Sequence, residues 1–272
     1  MLGINNLNEE IKDLAFYANR DLTLAIAIGE LMLKSGGETT RVENTISIIL
    51  KSSNYCKESD VIVLTTGIFV TITDMANRSH TMLKRVNKIV TNLNRISELN
   101  ELSRKFVSKE LTYDEIDEKI NFLETSLIYP IYFEGLFSGF TSAAFCYMIF
   151  LDIYNSIGAF FSALVVHTFA LYVINRKIDS QFVQIIFASM LLVFGSVFVA
   201  IFIPNDDINR IIIGGIMPLV PGSEMVTGVR DIVEGNFLSA TARLLNAILI
   251  GVGIAVGVGI GLSLWLFIGG TM

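Results

Sequence analysis

Residues 211–229 read Ile-Ile-Ile-Gly-Gly-Ile-Met-Pro-Leu-Val-Pro-Gly-Ser-Glu-Met-Val-Thr-Gly-Val. The run is apolar enough to lie in a bilayer, yet Pro218 and Pro221 stand three apart within it. Each proline removes a helix hydrogen bond and crowds the preceding turn, so an unbroken helix is not expected. A break at membrane depth leaves backbone groups that only protein or a water-filled cavity can satisfy. Amides freed at the start of a half-helix carry partial positive charge and suit a carboxylate, as at the discontinuous helices of secondary transporters. The plainer reading is a kink held by neighbouring helices. Glu224 is an ionisable group inside the same segment, and such groups usually face a pathway or a partner.

The surrounding chain fits a membrane location. Of 272 residues, 52% are hydrophobic and 17% charged, with net charge −6 and mean hydropathy +0.60. The charge is unevenly spread: the first 133 residues carry 15 Lys+Arg and 18 Asp+Glu, the remaining 139 only 5 and 8. A soluble part, residues 1–132, is followed by a membrane part, residues 133–272. No clustered basic face suggests nucleic acid. The two cysteines, Cys56 and Cys146, have neither disulfide-framework nor metal-ligand spacing, so no metal or cofactor is expected. The start of the chain is acidic and lacks the order of a secretory signal, which keeps the first part in the cytoplasm.

Five apolar segments follow, at 133–151, 153–174, 182–203, 211–229 and 244–268. Basic residues favour the cytoplasmic side. With the amino end inside, Arg176, Lys177 and Arg230 fall inside, only Arg210 lies outside with Asp152 and the turn at 204–207, and the carboxyl end is outside. The fold class is thus an α-helical polytopic membrane protein with five transmembrane helices, one broken, and an N-terminal cytoplasmic α+β domain. His167 in the second segment can relay protons or simply pack. Gly253, Gly257 and Gly261 make a flat helix face for close packing, within the chain or on an intramembrane partner.

In the soluble part, the twelve apolar residues Leu22 to Leu33 read as a buried helix that stops at Gly36-Gly37. Thr40 and Glu43 have capping-box spacing for a second helix running to about Ser53. Ten of the thirteen residues from Val61 to Thr73 are Val, Ile or Thr with Gly67 among them, predicting one bent strand or two; Asp74 to Ser79 turns, and His80 to Val86 returns antiparallel. Ile96, Leu99, Leu102 and Phe106 keep helical spacing, and Thr112 with Glu115 opens a further helix before Pro130 that feeds almost directly into the first span.

Two stretches, Ser35-Gly-Gly-Glu38-Thr-Thr-Arg41-Val-Glu43 and Pro218-Leu-Val-Pro221-Gly222 with Arg230-Asp231-Ile-Val-Glu-Gly235 and Arg243, resemble the threonine/serine exporter family (ThrE-type), in particular its YjjP-like subunit. The likeness spans nearly the whole chain. It implies secondary export of threonine- and serine-type amino acids, or of dicarboxylates such as succinate in split systems, across the cell membrane. The family implies the proton gradient as energy source. Single-chain members continue with a second five-span half, so the resemblance also implies a separate small five-span membrane subunit and a hetero- or homo-oligomer. Val226-Thr227, Glu224 and Ala240 depart from the family pattern.

The expected path is lined by the Pro218 to Gly222 break, with Arg230, Asp231 and Arg243 at its cytoplasmic mouth, because arginine holds a carboxylate by two parallel hydrogen bonds. The plainer reading of Arg230 and Arg243 is as anchors at helix ends. Glu38 and Arg41 either pair with each other or gate the entrance, and with His167 are the coupling candidates. The competing function is a membrane-anchored metabolite sensor, for which the prolines would be dispensable. A hydrolase with Ser35 as nucleophile is disfavoured, since the soluble part has only His80 to serve as base.

Overall fold

The computed structural model describes residues 2–87, 89–125, 131–169, 178, 180–202 and 207–268. They form two units, Met1–Ser126 with Thr227–Arg243, and Leu127–Val226 with Leu244–Met272. Residues 227–243 therefore cluster with the N-terminal part although they follow the apolar break in sequence.

The first unit contains α1 (Leu2–Lys34), α2 (Thr39–Ser52), β1 (Cys56–Leu64), β2 (Gly67–Asp74), β3 (Ser79–Arg85), α3 (Leu93–Val107) and α4 (Tyr113–Thr125). The apolar run at 22–33 is the end of a helix that begins at Leu2. Gly36 closes it with φ +83°; its amide bonds to the Leu33 carbonyl at 3.0 Å and that of Gly37 to Met32 at 2.9 Å. This is the double closure that a left-handed glycine allows. The expected Thr40/Glu43 capping box does not form. The cap position is Glu38, in extended backbone with no side-chain cap bond, because the hydroxyls of Thr39 and Thr40 are drawn to acidic groups elsewhere in the unit. At the other predicted box, Glu115 accepts from the Thr112 amide at 2.8 Å and from its hydroxyl at 2.9 Å.

The β-rich stretch resolves into two strands divided at Thr65-Thr66, and β3 returns along β2, giving an antiparallel sheet in the order β1-β2-β3. Ile68, Val70 and Ile72 of β2 are buried and alternate with exposed or half-buried Phe69 and Thr71. One face is wet and one dry, as an antiparallel sheet permits. With the dry face, Leu22, Ile28 and Met32 of α1, Ile46, Ile49 and Leu50 of α2, Leu99 of α3 and Ile116 of α4 form one buried core, in which α1 and α2 meet the sheet and α3 and α4 pack on the helices.

Two buried carboxylates organise the part of this unit formed by residues 2–125. Asp74 accepts from the amides of Ala76 (2.9 Å) and Arg78 (2.8 Å), from Arg78 Nε (2.9 Å) and from His80 Nε2 (2.9 Å). Burial pushes its carboxyl up, but the bonds from His80 and Arg78 outweigh that and hold it at about 2. Asp21 accepts from the hydroxyls of Ser53 and Tyr113, joining α1 to the end of α2 and the start of α4. Burial, then the hydrogen bond to Asp21, raises the Tyr113 phenol.

The second unit contains α5 (Ile131–Phe150), α6 (Ile153–Phe169), α7 (Gln181–Ala200) and α8 (Ile208–Ile216), which runs into a 3-10 turn at Met217–Leu219. It also holds the first turn of α9 (Gly222–Val233) and most of α10 (Phe237–Phe267). Among the described residues three helices are long and apolar enough to cross a bilayer, at Tyr132–Phe150, Gln181–Ala200 and Phe237–Phe267. A fourth crossing is possible if Ile208–Leu219 and Gly222–Val233, bent by 53° at their break, count as one; α6 is apolar but shorter. Helix α4's junction with the first span, the Arg176-Lys177 flank, the turn at 204–206 and the end at Met272 lie outside the described residues.

Glycines set the close contacts of the bundle. A Cβ on Gly214 would meet Cys146 and Ala159, one on Gly215 would meet Leu192, and one on Gly257 would lie inside the Ser189 hydroxyl and the Ile186 carbonyl. Gly253 and Gly261 also face α7. The flat face of α10 thus packs within the chain. A second small strip, Gly251, Ala255 and Gly259, is exposed, and among the described residues nothing outside their own helix backbone lies within 4 Å of where a Cβ would stand on either glycine.

Candidate functional site

The break expected from Pro218 and Pro221 is present. Pro218 lies in the 3-10 turn, and Val220 is extended at φ −66° and ψ 129°, as a residue before proline prefers. The Val220 amide bonds to Met217 at 3.2 Å, Gly222 to Val220 at 2.8 Å and Met225 to Pro221 at 3.1 Å, so Pro221 opens the next helix. Glu224 sits half-buried in the first turn of α9, where a negative charge complements the partial positive charge of the helix start. His167 is half-buried near the end of α6.

The glycine elbow of the first unit meets the segment 227–243. Arg243 Nε donates to Asp231 Oδ2 at 3.1 Å and its Nη2 to the Gly37 carbonyl at 3.2 Å; Thr39 Oγ1 donates to Asp231 Oδ1 at 3.3 Å. Asp231 is fully buried and Arg243 only 4% exposed. A charge so far from water is tolerable only when paired and hydrogen-bonded, and here each group satisfies the other. Arg230, on the exposed side of the same helix, pairs with Glu38 and, at 3.7 Å, with Glu234, while Thr40 donates to Glu234. Gly235, with φ +85°, ends α9 and lets the Asn236 amide reach the Asp231 carbonyl at 2.8 Å.

Three of the sequence candidates, Arg230, Asp231 and Arg243, are therefore brought together with Glu38. Glu38 pairs with Arg230 and not with Arg41, which lies on the face of α2 that looks toward α3. Arg41 instead lines a cavity of about 570 Å³ between α2 and α3, with Glu38, Asn44, Asn100, Arg104 and Glu234 among its walls. Sequence reasoning gave no role at this site to Thr39, Glu234, Asn44, Asn100 or Arg104. For the last three the signal was available: 41, 44, 45 and 48 on α2, and 100, 103, 104 and 107 on α3, each recur at helical spacing.

The hydrolase reading fails on geometry. The Ser35 hydroxyl is buried and donates to the Leu31 carbonyl at 2.7 Å, and His80 is engaged by Asp74. Cys56 and Cys146 are both free thiols, and among the described residues no group of three or more His, Cys, Asp or Glu could hold a metal ion.

Apolar helices, one pair of them bent at prolines, joined to a polar α+β unit define a membrane protein. A family model, ThrE, described as "Putative threonine/serine exporter", matches residues 23–265. The chain belongs to that family of membrane exporters. Neither a curated protein nor a solved structure matches it.

Proposed function

We propose that the chain is one subunit of a secondary-active exporter of threonine- and serine-type amino acids in the cell membrane. The observation that carries this reading is the 53° break between Ile208–Leu219 and Gly222–Val233 in a chain of this family. Pro218, Pro221, Gly222 and Glu224 line the path, and the amide-rich start of α9 receives a substrate carboxylate as it passes. Arg230 is the exposed cation that meets substrate on the cytoplasmic side, while Asp231 and Arg243 lock the elbow against the end of α9. Glu38, Arg41 and His167 remain the coupling and gating candidates, with a proton gradient driving export.

The chain crosses the bilayer five times, α6 included, with the first unit in the cytoplasm and the carboxyl end outside. Supporting this, Arg210 pairs with both Asp152 (3.4 Å) and Asp207 (3.1 Å), and Asn155 accepts from the Asp207 amide at 2.9 Å. The α5–α6 loop and the start of α8 thus share one end of the unit, as two outer loops would. The exposed strip Gly251, Ala255, Gly259 supports a small five-span membrane partner, since small residues at four-residue spacing let another helix approach closely.

The test is to reconstitute the chain with and without such a partner and follow efflux of labelled threonine, serine and succinate under an imposed proton gradient. Threonine or serine efflux from the pair, lost in P218A/P221A, is expected. Efflux of succinate alone reassigns the substrate to dicarboxylates, and no efflux of any of the three from the pair rejects an exporter.

A further inference from the structure

The cavity between α2 and α3 combines features that the proline break does not use. Its two helical walls each present one arginine, Arg41 from α2 and Arg104 from α3. Both are exposed, and neither has an acidic partner among the described residues. The two carboxylates of the same cavity, Glu38 and Glu234, are already engaged by Arg230 and, for Glu234, by Thr40 as well. Counting Arg230, three cations thus meet two anions. Two guanidinium groups on facing walls without a counter-ion repel each other, and a carboxylate between them would relieve that repulsion while taking paired hydrogen bonds.

The rest of the lining is chosen for a small polar solute. Asn100 donates through Nδ2 to the Ile96 carbonyl at 2.8 Å, which leaves its oxygen as an acceptor. The Thr45 and Ser103 hydroxyls donate to the Arg41 and Asn100 carbonyls, both at 2.8 Å, so their oxygens also remain acceptors. Both of these residues are buried in the floor, while Ile48 and Val107 supply a small apolar patch. Donors for a carboxylate, acceptors for an ammonium or hydroxyl, and room for a few carbons occur within about 570 Å³. That volume lies in the ordinary range for metabolite sites.

We infer that this cleft of the first unit is a binding site for a free zwitterionic amino acid with a short polar side chain, its carboxylate held by Arg41 and Arg104 and its ammonium by Glu38 and Glu234. The choice of amino acid rests on the exporter reading; the site itself does not. Occupancy has a consequence for α9. A ligand ammonium competes with Arg230 for Glu38 and Glu234, so binding frees the last turn of the helix whose first turn lies at the proline break. The site is a gauge of the cytoplasmic amino-acid level, distinct from the path that moves the substrate.

The experiment is calorimetric titration of the purified full chain in detergent with L-threonine, L-serine, succinate, which lacks the ammonium, and ethanolamine, which lacks the carboxylate. Threonine or serine is expected to bind, and succinate and ethanolamine at least tenfold more weakly. R41Q/R104Q is expected to weaken threonine binding tenfold or more while melting, without ligand, at the wild-type temperature, because neither side chain is buried. P218A/P221A is expected to keep the binding. Absence of amino-acid binding, binding unaffected by R41Q/R104Q, or equal binding of succinate overturns the inference. Export by the reconstituted pair without cleft binding leaves the exporter reading standing and this inference lost, whereas cleft binding without export does the reverse.

Discussion

Replacing Arg243 by Gln removes the cation that donates to the fully buried Asp231 carboxylate. The carboxylate keeps the Thr39 hydroxyl at 3.3 Å but loses its ion pair at 3.1 Å, and the Gly37 carbonyl loses a donor at 3.2 Å. Breaking one side of a buried pair costs about 3–5 kcal/mol, because the remaining charge stays desolvated. At roughly 2–4 °C per kcal/mol for a chain of this size, the melting midpoint should fall by about 10 °C. Asp231→Asn should also lower the midpoint, since it takes the carboxylate away from a guanidinium that is 4% exposed. The double replacement D231L/R243M removes both charges and should recover most of the loss. The assay is thermal unfolding of the purified full chain in detergent, followed by circular dichroism, for the wild type, both single variants and the double. If both single variants melt within about 3 °C of wild type, the pair contributes no more than about 1 kcal/mol and the lock is refuted. A reduced efflux rate with an unchanged midpoint would then assign Arg243 to the substrate.

Two further outcomes follow from the same contacts. Asp74 is held at about 2 against an ordinary 3.8, so its network adds stability that is complete above pH 4 and disappears as pH falls from about 4 to 2. The loss is about 2 kcal/mol, read as a falling denaturation midpoint over that interval, and Asp74→Asn should flatten the pH dependence there while lowering stability at neutral pH. Gly257→Ala places a methyl group against the Ile186 carbonyl and should lower the melting midpoint of the isolated chain, whereas Gly251→Ala meets open space and should leave it unchanged; equal effects would refute the assigned packing of α10.

What could be read from the sequence was local. Gly36 as a helix stop, the antiparallel return after Asp74, the helix of Ile96 to Phe106 and the break at Pro218 and Pro221 each depend on a few adjacent side chains and backbone preferences. The capping box at Thr40 and Glu43 failed because a tertiary acceptor outbid a local one: Thr40 bonds to Glu234, distant in the chain. Asp231 and Arg243 stood out as charges beside apolar runs, but their closure on Gly37 and Thr39 joins positions about two hundred residues apart, which no window of sequence reports. Asp21 read as the polar flank of a helix because nothing nearby indicates that Ser53 and Tyr113 will enclose it. The partner-like spacing of Gly253, Gly257 and Gly261 was ambiguous for a similar reason, since the same face serves a neighbour in the same chain or in another.

The turn between α8 and α9 has little torsional freedom. Proline fixes φ at both Pro218 and Pro221, and the ring of Pro221 confines Val220 to the extended values it adopts. Such a knee neither straightens nor folds further at small cost. The 53° bend is therefore written into the sequence at these two prolines and is not left to the neighbouring helices. On one side it is held at close quarters, for Gly214 and Gly215 set bare backbone against Cys146, Ala159 and Leu192, where no larger residue would fit.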